Sequence, residues 1–167
     1  MNMELKELSL SDGQEIYKMI VEIGPGENGF GNRGYDIEFK DFSNFLQDNI
    51  EMSKGIGLKS EYVSQTMFWL MVNNKPVGIG KLRHYLNEHL REHGGHIGYC
   101  IRPSERGKGY GNIILKELLK ESKKKGITEV LLTCNEDNVP SRKVIEYSKG
   151  ILEEVNEGVC KYWIKEF

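Results

Sequence analysis

The chain has few of the residues that build covalent or metallic frameworks: three cysteines and four histidines among 167 residues. Cys100, Cys134 and Cys160 are odd in number and widely spaced, form no C-x-x-C pair, and fall in or beside apolar segments. Neither a disulfide framework nor a zinc site is expected, and each thiol reads as buried and inert. His89 and His93 stand four apart, but Gly94-Gly95 follows at once and argues against a sustained helix, so no metal is expected. Long apolar runs are also missing: no stretch of eighteen occurs, and Met-Asn-Met-Glu-Leu-Lys at the start lacks the apolar core of a signal peptide. The expectation is a cytoplasmic protein with no membrane partner. Excess charge of one sign is absent too, since the net charge is −2, which removes the usual footprint of nucleic-acid binding. With 38% hydrophobic and 29% charged residues the composition is that of a globular protein, and the length suits one domain over residues 1–167.

Glycine is not scarce, and its placement is informative. In Ile97-Gly-Tyr-Cys-Ile-Arg-Pro-Ser-Glu-Arg-Gly-Lys-Gly-Tyr-Gly111 an apolar run ends at Pro103, and glycines at 107, 109 and 111 precede Ile113-Ile-Leu-Lys-Glu-Leu-Leu119, whose apolar positions recur at helical spacing. A strand, a tight turn and a helix start follow one another. Unpaired amides and the positive end of the helix dipole make such a start an anion site, and glycine lets a phosphate come close. Arg102, Arg106 and Lys108 add positive charge. A P-loop is excluded because Gly109, not a hydroxyl residue, follows Lys108; the dinucleotide fingerprint G-x-G-x-x-G is not met by G-x-G-x-G.

The pattern that fits at every fixed position is [Q/R]-x-x-G-x-[G/A], carried by Arg106-Gly-Lys-Gly-Tyr-Gly111. Here the chain resembles the GNAT superfamily of acyl-CoA N-acyltransferases. A second signature supports the resemblance: beyond the apolar, β-branched segment Ile127–Cys134 comes Asn138-Val-Pro-Ser141, a short helical stretch to about Ser148 and Lys149-Gly150. The pair covers roughly residues 95–152.

The remaining segments give a matching order. Leu5–Leu8 reads as a strand; Ser11-Asp12 can cap a helix through about Ile23, with Ile16, Met19, Ile20 and Ile23 on one face. Residues 24–34 form a glycine-rich loop, and a helix over about Ile37–Met52 carries the stripe Phe39, Phe42, Phe45, Leu46 and Ile50, read as core. Thr66–Val72 and Val77–Arg83 form a hairpin around Asn73–Pro76. Tyr85–Gly95 leads into the motif strand, and Ile151–Val155 and Val159–Ile164 close the chain, offering an edge for a homodimer. The fold class is α/β (mixed α+β), in the order β-α-α-β-β-β-α-β-α-β-β. A GNAT-like fold implies a central mixed sheet of six to seven strands flanked by about four helices.

The resemblance implies acetyl transfer from acetyl-CoA, the cosubstrate, to a primary amine of a small molecule or peptide. It implies that the strand before the loop and the strand after its helix splay apart around pantetheine. Tyr99, Cys100 and Ile101 then offer main-chain partners, and the amides of Gly107, Lys108, Gly109, Tyr110, Gly111 and Asn112 take the phosphates. Arg106, Lys108 and Asn112 either contact phosphate or form a solvated rim. Asn138 holds the pantetheine arm or simply caps the last helix, and Ser141 contacts coenzyme or is a first-turn residue. Many members carry a tyrosine seven residues after the signature asparagine to return a proton to the thiolate; here that position is Ile145, with Tyr147 about 200° further round a helix. Catalytic candidates are therefore His96 and Glu136 as bases and Tyr147 as acid. Glu27 and Asn28, with Phe30 or Tyr35 as an apolar wall, are acceptor candidates, as are Arg83, His84 and Tyr85. Acidic residues such as Glu27, Glu88, Glu92 and Glu136 would suit a cationic amine. The missing tyrosine motivates an alternative: a catalytically silent acyl-CoA-binding sensor or interaction domain.

Overall fold

Seven strands and five helices follow one another in a computed structural model that describes every residue, Met1–Phe167. Strands β1 (Met3–Glu7), β2 (Gln65–Val72), β3 (Lys75–Arg83) and β4 (Ile97–Ile101) form one antiparallel sheet in that order. β5 (Val130–Asn135), β7 (Val159–Ile164) and β6 (Ile151–Asn156) form a second, also antiparallel. Helices α1 (Gln14–Ile23) and α2 (Phe42–Ser53) precede β2; α3 (Glu88–Glu92) precedes β4; α4 (Tyr110–Lys124) joins β4 to β5, and α5 (Val139–Tyr147) joins β5 to β6. The expected central sheet is thus divided where β4 meets β5.

Alternation along the strands feeds a core on each face. Leu82, Ile97, Leu132 and Tyr162 pack under Ile114, Leu115 and Leu118 of α4, whereas Trp69, Ile79 and Cys100 pack under Met19 and Ile20 of α1 and Leu46 of α2. A fully buried side chain of this size contributes about 1.5–3 kcal/mol. Gly80 sits in mid-strand because α4 lies directly on it: an added Cβ would come within 2.9 Å of Leu118.

Several local expectations change. Asp12 does not cap α1; its buried carboxylate accepts from Trp69 Nε1 at 2.7 Å and from the Ser9 amide at 2.8 Å, and Gly13 occupies the N-cap. The α2 stripe is only partly core, since Phe42 and Leu46 are buried while Phe39, in a 3₁₀ turn before the helix, is exposed and meets the Tyr17 ring edge-on. Tyr85–Gly95 contains a single helical turn, capped where Leu90 N–H donates to Asn87 Oδ1 at 2.8 Å. All three cysteines are buried and free. No helix is long and apolar enough to cross a membrane, and no group of three His, Cys, Asp or Glu side chains could hold a metal ion. β6 is an edge strand with Ile151, Leu152 and Val155 exposed.

Candidate active site

β4 and β5 touch at one end only. There the His96 N–H donates to Leu131 O at 2.8 Å, the Leu131 N–H donates to His96 Nδ1 at 3.0 Å, and the Gly94 N–H donates to Thr133 Oγ1 at 2.7 Å. Beyond that contact no ladder joins the two strands; β4 pairs with β3 and β5 with β7. The wedge between them is a cleft of about 730 Å³ walled by Ile97–Ile101 on one side and Leu132–Asn135 on the other. Antiparallel alternation decides which main-chain groups face it. Arg102 N–H bonds to Val77 O on β3, and Cys100 O lies against Gly78, so residues 100 and 102 turn toward β3. Tyr99 and Ile101 therefore present their main-chain groups to the cleft, and Arg106 Nε reaches Ile101 O at 2.9 Å. Cys100 does not offer its backbone, contrary to the expectation for that residue.

The glycine turn closes the wide end of the wedge. Gly107 and Gly109 have φ of +79° and +82°, a region that other residues enter at a cost of about 1–2 kcal/mol, and both are open where a Cβ would stand. None of the amides from 107 to 112 finds an acceptor in the chain, and α4 has no side-chain cap. Six donors at the positive end of a fifteen-residue helix form an anion cradle.

The Acetyltransferase (GNAT) family model matches residues 33–148. The chain belongs to the GNAT acetyltransferase family. Solved structures share the fold over nearly the whole length: RimL, a ribosomal L7/L12 alpha-N-protein acetyltransferase in complex with coenzyme A, at 18% identity and TM-score 0.71, covers 98% of this chain and 93% of that one. A ribosomal-protein-S5-alanine acetyltransferase from Vibrio fischeri superposes at 15% identity and TM-score 0.72, covering 99% and 94%. The N-acetyltransferase PseH of Campylobacter jejuni, in complex with acetyl coenzyme A, does so at 12% and 0.66, covering 99% and 100%. Comparison with curated proteins returns no match. The protein is accordingly a GNAT-type acyltransferase.

Within this GNAT cleft the motif cations behave differently from the amides. Arg106 turns back to Glu27, with Nη1 at 2.7 Å from Oε1, and Lys108 is held by Glu105 at 2.7 Å and lies outside the cleft. Arg102 is buried, donating from Nη2 to Glu22 at 2.7 Å and from Nη1 to Pro76 O at 2.9 Å. That guanidinium, with the Ser104 hydroxyl and amide, pulls the Glu22 carboxyl down to about 2. Each motif cation already has a carboxylate, so the cradle rests on backbone donors.

Two buried polar atoms in the cleft have no partner: Tyr99 Oη and Asn112 Oδ1. Tyr99 lies beside Ser141, and burial pushes its phenol up to about 12. Unpaired buried polar atoms are uncommon in native proteins, and these flank the path from the anion cradle to the strands. Together with the open glycines and six free amides they fit a phosphate-bearing, amide-rich molecule such as coenzyme A. Asn138 caps α5, its Oδ1 accepting from Ser141 N–H at 3.4 Å, while its Nδ2 has no partner in the chain. Tyr110, Gly111, Asn138 and Ser141 all line the cleft.

None of the three catalytic candidates lines it. His96 is only 7% exposed; with Leu131 N–H donating to Nδ1 its proton sits on Nε2, and burial with Arg91 and Arg83 nearby lowers its pKa to about 4. It pins the splay and does not line the cleft. Glu136 projects from the turn after β5 into solvent, and Tyr147 is 77% exposed on the outer face of α5. Ile145 is buried in the core and forms part of the cleft wall. Of the acceptor candidates, Glu27, Asn28, Phe30 and Arg83 line the cleft. His84 does not: its Nε2 pairs with Thr66 Oγ1 at 2.7 Å; Tyr85 is exposed elsewhere. His89, His93 and Thr133 also line the cleft; the four-residue spacing of the two histidines bears on metal alone, and Asn87, which caps their turn, is the signal that places them.

Proposed function

We propose that this chain transfers an acetyl group from acetyl-CoA to a primary amine of a small molecule or peptide. The observation that carries the reading is the wedge itself: free main-chain groups on β4, six free amides at α4, and the unpartnered Tyr99 hydroxyl and Asn112 carbonyl between them. Acetyl-CoA, when bound, supplies the acetyl group as a thioester. The amides of 107–112 would hold its phosphates, and Tyr99, Ile101, Asn112 and Asn138 its amide-bearing arm. An amine attacking the thioester carbonyl forms the C–N bond, the C–S bond breaks, and the thiolate needs a proton. Ile145 has none to give and Tyr147 faces away. Tyr99 and Ser141 bring the hydroxyls that remain beside the strands to protonate the departing sulfur. His89 or His93 takes the proton lost by the amine. Neither cytoplasmic residence nor a second copy along β6 is required for this chemistry.

The experiment is acceptor-dependent release of coenzyme A thiol. Saturable release with at least one amine supports the transferase. Ile145 favours a second reading, in which the chain binds acyl-CoA and does not turn over. Ligand in excess stabilises a folded protein by mass action, so both readings expect acetyl-CoA, and not NAD, to raise the melting temperature. Binding without turnover across a broad amine panel would leave the second.

A further inference from the structure

Beyond the thioester end of the cleft, positive charge stands without carboxylate partners. Arg83, the last residue of β3 and paired with His96, donates from Nη1 to Gly94 O at 3.1 Å and Gly95 O at 3.3 Å; its Nε and Nη2 have no partner. Burial lowers its pKa to about 10. Lys81 lies two residues back on the same face, its Nζ 4.5 Å from the Phe30 ring centre and bonded to Gly31 O; burial, then Arg83 and Arg33, depress it to about 8. Arg33 bonds only to Tyr62 Oη. None of these three cations has a carboxylate within ion-pair distance, whereas the acids nearest the cleft are already matched: Glu27 to Arg106, and Glu92 to Lys161 at 2.8 Å. Lys81 and Arg83 are partly buried, and a buried cation is unfavourable without an anion.

The coenzyme is not that anion. Its cradle follows the C-terminal end of β4, while Arg83 lies beyond the N-terminal end, and the five residues between span about 16 Å. Between Arg83 and Phe30 lies Gly98, where a Cβ would stand 3.6 Å from both the guanidinium and the ring. This slot opens into the cleft.

We infer that the acceptor carries a carboxylate near its amine, received by the free edge of Arg83 over Gly98, with Phe30 as the apolar wall. The inference rests on the transferase reading and narrows it, replacing the cationic acceptor that the acidic residues had suggested. A free amino dicarboxylate and a peptide with acidic residues after its N-terminus share this chemistry.

The full chain with saturating acetyl-CoA is assayed for thiol release with aspartate, an acidic peptide with a free N-terminus, alaninamide and spermidine. The expected kcat/KM for at least one of the two acids exceeds that for alaninamide by about 10- to 100-fold, the usual weight of hydrogen bonds to a charged group; aspartate against peptide tells the source. Raising KCl from about 0.05 to about 0.3 M lowers the acidic value and spares the neutral one. Arg83→Gln brings the ratio toward unity. Because that change also frees Gly94 and Gly95, Gly98→Ala, which fills the slot at an ordinary contact distance, provides the second variant and raises KM for the acid. Preference for spermidine or alaninamide, or a ratio unmoved by both variants, overturns the inference. If no amine turns over, the transferase reading fails by itself; calorimetry of the same acidic peptide with the coenzyme A-loaded protein then decides, binding lost in Arg83→Gln upholding the site and no binding overturning it.

Discussion

Replacing His96 with asparagine separates a pin from a base. Nδ1 of His96 accepts the Leu131 amide inside the only contact between β4 and β5, and the ring is held neutral with a pKa near 4. The unfolded chain takes up a proton near the ordinary value of 6.5, the folded one only near 4. Folding with a neutral imidazole is therefore fully favoured above 6.5, loses about 1.4 kcal/mol per pH unit below it, and stops losing near 4, a total of about 3 kcal/mol. Asparagine Oδ1 can still accept from Leu131 but does not titrate. Urea denaturation of both proteins at pH 7.5, 5.5 and 4 should show the wild type losing about 3 kcal/mol more than His96→Asn over that range. At pH 7.5 the variant should be about 1–2 kcal/mol weaker through lost packing, and kcat should fall less than tenfold. A folded variant with the wild-type pH dependence of stability and kcat reduced a hundredfold or more would refute the reasoning and restore His96 as a catalytic base.

Other expectations follow from single contacts. Tyr99→Phe removes an unpartnered buried hydroxyl, so stability should hold or rise by about 1 kcal/mol while kcat drops about 100-fold with coenzyme affinity retained, read by thermal melting and steady-state kinetics. Gly109→Ala forces alanine to a φ of +82°, and should cost about 1–2 kcal/mol and weaken acetyl-CoA binding measured by calorimetry. Glu22→Gln leaves the buried Arg102 guanidinium short of its charge partner; a loss of about 2 kcal/mol is expected in urea, less than for a fully buried pair because Glu22 is partly solvated. In the wild type, the contribution of Glu22 is complete above its ordinary 4.5 and disappears as pH falls toward about 2, so Glu22→Gln should flatten acid unfolding in that window.

How legible the site was in the sequence depended on which atoms did the work. Glycines at 107 and 109 declare a backbone conformation, and a backbone conformation declares an anion cradle; the loop, α4 and α5 were therefore readable from residue types and spacing. Side-chain direction was not. Arg106 and Lys108 read as phosphate contacts or rim, and Arg102 as added positive charge, because they are near in sequence, yet Glu22, Glu27 and Glu105 claim the three, two of these acids coming from the segment around α1. His96 read as a base because it begins the splayed strand; whether its ring faced substrate or the neighbouring strand hung on Gly95, whose φ of +61° brings it against Leu131 O. Asp12 read as a cap because Trp69 lies 57 residues away, too far along the chain for local pattern to connect them.

Charge compensation then distinguishes the two ends of this cleft. A phosphate held by backbone amides needs no mobile cation, and the cations of the signature loop are free to tie that loop to α1 and to β4, which fixes the amides in place. Had Arg106 and Lys108 been left unpaired, they would have repelled each other across an empty cradle and loosened the geometry on which the donors depend. At the opposite end the only helix start is that of the single-turn α3, which Asn87 already caps, and His89 and His93 line the cleft. Recognition there falls to side chains, and the cations left without carboxylates are Lys81, Arg83 and Arg33. Swapping the sign at one of them, Arg83→Glu, should therefore move acceptor preference from acidic toward basic amines while leaving the melting shift with acetyl-CoA intact. Loss of that coenzyme shift in a folded Arg83→Glu protein would show that the two ends of the cleft are not independent.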